Sequence, residues 1–155
     1  MRLHHAAICA EDIDASLVFW RDGMGLEVLM DHSFEGDWPA LFGVTSSNLH
    51  SVFLGDPARP DAGVVELVDF HEPLDEGSGP GRAGAPRGFF LLSFNVDLTV
   101  TLDRLRALGV GGEVREISAH GVRMAVVHDP DGVQVELLDL PEIDLDDINA
   151  STGGD

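Results

Sequence analysis

The chain has 155 residues, is 44% apolar and carries a formal charge of −19, with 28 acidic side chains against nine arginines and no lysine. That length suffices for one domain with its own core, while so acidic a surface repels phosphate backbones and anionic membranes, which argues against nucleic-acid and membrane partners. No apolar run approaches the ~20 residues that span a bilayer, so a cytoplasmic protein is the expectation.

Leu3 to Ala10 is an apolar run suited to a buried strand. The single cysteine, Cys9, lies in it, where a small buried hydrophobe is the expected role. A helix follows, with Asp12 as N-cap and Gly23 and Gly25 ending it, and Leu26 to Met30 reads as a second strand. Asp31 to Ser47 is irregular but holds Phe34, Trp38 and Phe42, so it is expected to fold over something apolar. Leu49 to Leu54 and Val64 to Phe70 complete a β-α-β-β-β unit. Residues 71–88 have a linker's composition. The same order then returns: a strand over Phe89 to Val96, a helix over Leu98 to Leu108, a strand over Val114 to Ile117, and a pair, Met124 to His128 and Val133 to Leu140, joined at Asp129-Pro130-Asp131-Gly132. Both helices end at similar punctuation, Met24-Gly25-Leu26 and Leu108-Gly109-Val110, which points to duplication. The division expected is one α+β domain over 1–140, of modules 1–70 and 89–140, with an acidic flexible tail over 141–155.

Two carboxylates stand out, Glu66 in Val65-Glu66-Leu67 and Glu136 in Val135-Glu136-Leu137. A carboxylate between apolar neighbours is costly to bury unless it is paired, coordinated or facing a cavity. Strand alternation offers the plainer alternative, in which each simply faces water.

Three stretches carry a family resemblance: Leu3-His4-His5-Ala6-Ala7-Ile8, then Phe19-Trp20-Arg21-Asp22-Gly23-Met24-Gly25-Leu26, and Asp129-Pro130-Asp131-Gly132-Val133-Gln134-Val135-Glu136-Leu137. Together they resemble the vicinal-oxygen-chelate superfamily of glyoxalases, bleomycin-resistance proteins and extradiol dioxygenases. The resemblance implies two βαβββ modules whose curved mixed sheets form a cup, a homodimer, and metal ligands on the first and last strands of each module. Here those positions fall on His5, Glu66 and Glu136, with Leu91 where many family enzymes have His. A leucine donates nothing, so the implied site is one His and two carboxylates for Mn, Fe, Ni, Co or Zn, or no metal at all.

As His4 and His5 adjoin on a strand, only one is expected to look into the cup, and the motif selects His5. His50 lies on a strand expected to line the cup, where it could replace the missing ligand or act as a base. The other histidines, His32, His71, His120 and His128, read as surface residues. Phe34, Trp38 and Phe42 supply either a lid over a small apolar or aromatic ligand or a plug in the core.

The resemblance leaves two readings. In one, a divalent-metal lyase, isomerase or epimerase, a cation held by His5, Glu66 and Glu136 polarises a carbonyl oxygen while a glutamate moves the proton. In the other, a metal-free binding protein sequesters an apolar compound against Phe34, Trp38, His50 and Leu91. Extradiol ring cleavage, which relies on a second His, is opposed by Leu91.

Overall fold

The computed structural model describes residues 3–60, 62–74, 88–119 and 121–140. Most of the expected linker, His120 and the whole of the expected tail lie outside these.

Two four-stranded mixed sheets are built in the same way. In the first, β1 (Ala6–Cys9), β2 (Glu27–Glu35), β3 (Asn48–Gly55) and β4 (Val65–Asp69) lie in the order β1-β4-β3-β2. In the second, β5 (Leu92–Asn95), β6 (Arg115–Ala119), β7 (Val122–His128) and β8 (Gln134–Asp139) lie in the order β5-β8-β7-β6. The outer pair β1–β4 is parallel, as is β5–β8, and the remaining ladders are antiparallel. Each parallel pair requires a crossover, which is where the helices sit.

The first crossover begins at α1 (Ile13–Leu17), whose N-cap Asp12 accepts from the Ala15 N–H at 3.1 Å. It widens into a π-helical segment over Val18–Gly23, and the Met24 N–H reaches back five residues to the Phe19 carbonyl at 2.8 Å. Within it Phe19, Trp20 and Gly23 are buried while Arg21 and Asp22 stay exposed. A second short helix, α2 (Trp38–Phe42), interrupts the stretch read from sequence as irregular. In the second module α3 (Leu98–Leu108) is capped by Asp97, which accepts from Val100 N–H at 2.9 Å, and it ends at the left-handed Gly109, as its sequence predicts.

Strand alternation gives each sheet two faces. Ile8, Val52, Leu54, Val65 and Leu67 of the first and Ala125, Val127, Val135 and Leu137 of the second all turn to the helices, and with Phe19, Trp20, Leu98, Leu102 and Leu105 they form one buried cluster. The modules therefore share a core through their helices. The other face of each sheet points away from this core and is called its outer face below.

Polar contacts reinforce the junction. Trp20 Nε1–H donates to Asp129 Oδ2 at 3.2 Å, and the Glu11 N–H and Ser16 hydroxyl donate to the two oxygens of Asp131, each at 2.8 Å. The Asp129-Pro130-Asp131-Gly132 turn is thus a clasp between the second module and the first helix. No helix among the described residues is long and apolar enough to cross a membrane.

Candidate active site

The outer face of the first sheet follows from its register. Glu66 is opposite Ala7 on β1 and Phe53 on β3, and Val68 is opposite Cys9 and Ser51. Phe53, Ser51 and Leu49 in turn face Met30, His32 and Phe34 on β2. Alternation on β4 thus puts Glu66 on the face opposite Val65 and Leu67, where it is nonetheless 8% exposed.

Such a carboxylate needs partners, and it has them. The hydroxyl of Ser51, itself 1% exposed, donates to Glu66 Oε1 at 2.5 Å. His5 Nε2 stands 3.2 Å from Glu66 Oε2. On the other side of the His5 ring the Nδ1 atoms of His4 and His5 lie 2.8 Å apart, one donating and the other accepting. The Phe53 ring packs against both imidazoles, with centroids 6.1 Å from His4 and 5.4 Å from His5. Ser51, Glu66, His5 and His4 thus form a continuous chain of polar contacts ending at an exposed imidazole.

This corrects one expectation. Regular strand begins only at Ala6, so His4 and His5 are not forced to opposite sides, and their rings meet edge to face at 5.1 Å. Cys9 is another correction: alternation puts it on the outer face, where it is exposed rather than a buried hydrophobe.

His50 is also placed differently. It shares the face of Val52 and Leu54, on the helix side, where its Nε2 pairs with Asp31 Oδ1 at 2.7 Å. The strand does line the outer face, but through Leu49, Ser51 and Phe53. His32, read as a surface residue, is exposed, and it lies on that face opposite Ser51.

Glu136 occupies the outer face of the second sheet, in a row with Ser93, Val126 and Arg115. The Ser93 hydroxyl donates to Glu136 Oε2 at 2.8 Å. Arg115 Nη2 donates to Gln134 Oε1 at 3.5 Å. Leu91 immediately precedes β5, two residues before Ser93, which faces Glu136 as Ala7 faces Glu66. Counting back from these pairs makes Leu91 the counterpart of His5.

The aromatic residues of the stretch after β2 gather over the far end of the first outer face. Trp38 packs on Leu49, Val68 and Phe70, and stacks on Phe42 with centroids 5.9 Å apart. Phe42 is 57% exposed, and Phe34 38% exposed with its ring 4.8 Å from that of His32. Thr45 anchors the return of this stretch, its N–H donating to Glu72 at 2.8 Å and its hydroxyl to the same oxygen; these bonds, the hydroxyl's first, lower the Glu72 pKa.

The sequence pattern of the Glyoxalase/Bleomycin resistance protein/Dioxygenase superfamily matches residues 2–137. The chain belongs to that superfamily. It is 37% identical to a lactoylglutathione lyase-like protein of Aspergillus terreus, over 91% of this chain and 76% of that one. A probable lactoylglutathione lyase of Synechocystis is 30% identical over 89% and 95%. Among solved structures, a glyoxalase family protein of Bacillus cereus superposes with a TM-score of 0.68 at 20% identity, covering 89% of this chain and 93% of that one. The fosfomycin resistance protein FosX of Listeria monocytogenes, crystallised with Mn(II) and a dihydroxypropylphosphonic acid, superposes with a TM-score of 0.56 at 17% identity, covering 95% and 96%. These two likenesses establish the fold.

The superfamily implies a divalent cation, and the donor set tests whether one fits. Among the described residues no three His, Cys, Asp or Glu side chains gather as a cation would require. His5 and Glu66 meet, but Glu136 stands on the other sheet. One chain alone therefore does not supply the three-donor site that the family resemblance implies.

Proposed function

We propose that the protein is a glyoxalase-like lyase or isomerase that moves a proton between neighbouring carbons of a small carbonyl adduct, and that it works as a homodimer. The observation that carries this reading is the nearly buried Glu66, with one oxygen held by Ser51 and the other directed at His5. A carboxylate so held is suited to take a proton from a hydroxyl-bearing carbon beside a carbonyl, the electron pair shifting to the carbonyl oxygen, and to return it to the former carbonyl carbon, while the hydroxyl proton passes to that carbon's oxygen and the new carbonyl forms on the first carbon. No atom is lost and no oxidant is needed.

Glu136 stands on the outer face of the second module, and a second copy laid face to face would bring it to His5 and Glu66. His5, Glu66 and a second copy's Glu136 then form a donor set of the kind that Mn, Fe, Co, Ni or Zn accepts. Arg115, in the row of Glu136, supplies positive charge for a substrate carboxylate. The lactoylglutathione lyase descriptions of two relatives point to the hemithioacetal of a 2-oxoaldehyde with glutathione as the first substrate to try.

The test measures thioester formation from methylglyoxal and glutathione by wild type, H5A, E66Q and E136Q, with elemental analysis of each. Every single variant should be inactive, and H5A mixed with E136Q should regain about a quarter of wild-type activity, because half the reassorted dimers then hold one intact site. If the single variants lose activity but the mixture regains none, a site shared between copies is excluded. No turnover by wild type across a panel of hemithioacetals would retire the enzyme reading.

The aromatic cluster of Phe34, Trp38 and Phe42 favours a second reading, in which the outer face captures an apolar or aromatic compound without chemistry. Tryptophan fluorescence that saturates with aromatic compounds, in protein that turns over no hemithioacetal, would select it.

A further inference from the structure

We propose that Ser51 and Ser93 are positioning residues, each fixing one oxygen of a site glutamate so that the other is presented to the site in one direction; this rests on the assignment of Glu66 to proton transfer and of Glu136 to the donor set. Both serines stand on outer faces, and both donate a hydroxyl hydrogen to a glutamate on the last strand of their own module, at 2.5 Å and 2.8 Å.

They are not relics of the duplication. Ser93 is on β5, directly opposite Glu136 in a parallel pair, and the matching position in the first module is Ala7, opposite Glu66. Ser51 is on β3, opposite Val68 in an antiparallel pair, one step along the face from Glu66. The matching position in the second module is Met124, opposite Leu138. Each module has placed a hydroxyl beside its glutamate from a different strand. Inheritance from a common ancestral module would have put both serines on matching strands, so the shared feature is the contact itself.

The contact divides the two oxygens of each carboxylate. In Glu66, Oε1 is taken by Ser51, and Oε2 remains toward His5. In Glu136, Oε2 is taken by Ser93, and Oε1 has no partner among the described residues. An unheld carboxylate rotates between two equivalent presentations, whereas a held one offers a single basic oxygen in a fixed direction. Fixing a reacting group in this way contributes to rate without adding a contact to the substrate.

The test compares S51A, S51T, S93A and S93T with wild type as full-length protein. One readout is the carboxyl 13C resonances of Glu66 and Glu136, assigned with E66Q and E136Q. The other is kcat and KM for the methylglyoxal–glutathione hemithioacetal. Expected are a shifted or broadened Glu66 resonance in S51A and Glu136 resonance in S93A, each restored by threonine. With them should come a kcat lower by about ten- to a hundred-fold, as for residues that orient a reacting group, with KM changed less than about twofold. Thermal unfolding identifies any alanine variant that fails to fold, in which case the threonine variant carries the comparison: unchanged resonances and kcat support the proposal, and lost ones overturn it. Unmoved carboxyl resonances in folded S51A and S93A overturn it as well. If wild type converts no hemithioacetal, the enzyme reading fails, and the resonances still decide whether the serines hold the glutamates.

Discussion

Trp20 and Asp129 are 109 residues apart in sequence, yet the indole N–H donates to the carboxylate at 3.2 Å inside the shared core. Asp129 is only 5% exposed. Burial raises its pKa to about 6, with the Asp131 charge adding to the rise and hydrogen bonds from Val133, Asp131 and Trp20 opposing it. The folded form therefore holds a proton more tightly than the unfolded form, and stability falls as pH rises between the unfolded value of 3.8 and about 6. A gap of that size corresponds to about 3 kcal/mol. Chemical denaturation from pH 4 to 7.5 should show a loss of that order in wild type, beyond the change seen in D129N. Equal pH dependence in the two proteins would mean that the carboxylate is not responsible.

Gly25 should not tolerate a side chain. Its φ is +83°, and an added Cβ would lie 2.9 Å from Nη1 of Arg104, whose Nη2 donates to the Met24 carbonyl at 3.2 Å. G25A is expected to cost about 1–3 kcal/mol. In a double-mutant cycle R104A should recover the steric part and leave the backbone part, read from denaturant midpoints.

Trp38 carries a buried indole N–H without a hydrogen-bond partner among the described residues. A buried donor left unsatisfied costs about 1–3 kcal/mol. W38F keeps an aromatic ring against Leu49, Val68 and Phe70 while removing that donor, so its thermal midpoint should equal or exceed that of wild type. A clear fall in the midpoint would show that the indole contributes more by its size than its N–H costs.

Cys9 should be accessible but sluggish. It is exposed, yet burial raises its thiol pKa, and the charges of Asp131 and Glu72 raise it further. Because the thiolate is the nucleophile, labelling by a disulfide reagent at neutral pH should be slower than for a free cysteine and should accelerate in D131N. Equal rates in D131N and wild type would exclude the electrostatic part.

Most of the architecture is legible in the sequence because apolar periodicity and punctuation repeat. Asp12 and Gly109 mark helix boundaries where their chemistry predicts them, and α3 spans the predicted residues. In the candidate site, the faces of the glutamates were legible where alternation could be counted from a firm strand: Glu66 and Glu136 alternate with the helix-side residues of β4 and β8. The site was not legible at strand ends. His4 was assigned the opposite side from His5 because the strand was begun too early, and β2 was ended too early, which left His32 and Phe34 to a loop although the strand runs to Glu35. The face of His50 was misjudged because only the ladder with β4 shows which set of alternating β3 residues turns outward. Ser51 and Ser93 carry a signal of their own: each is a small hydroxyl residue flanked by an apolar residue in its strand, in phase with the outer face.

The buried cluster that takes Leu98, Leu102 and Leu105 from one module and Phe19, Trp20 and Met24 from the other makes the two halves a single cooperative unit. Each half has the complete strand set of a βαβββ fold, yet separated from the other it would expose the helix-side surface that the two bury jointly. Calorimetry should therefore show one transition whose van't Hoff and calorimetric enthalpies agree. L105A, losing about 2–5 kcal/mol of buried packing, should move that single transition down without splitting it. Two halves of matching topology are thus expected to melt together, neither alone.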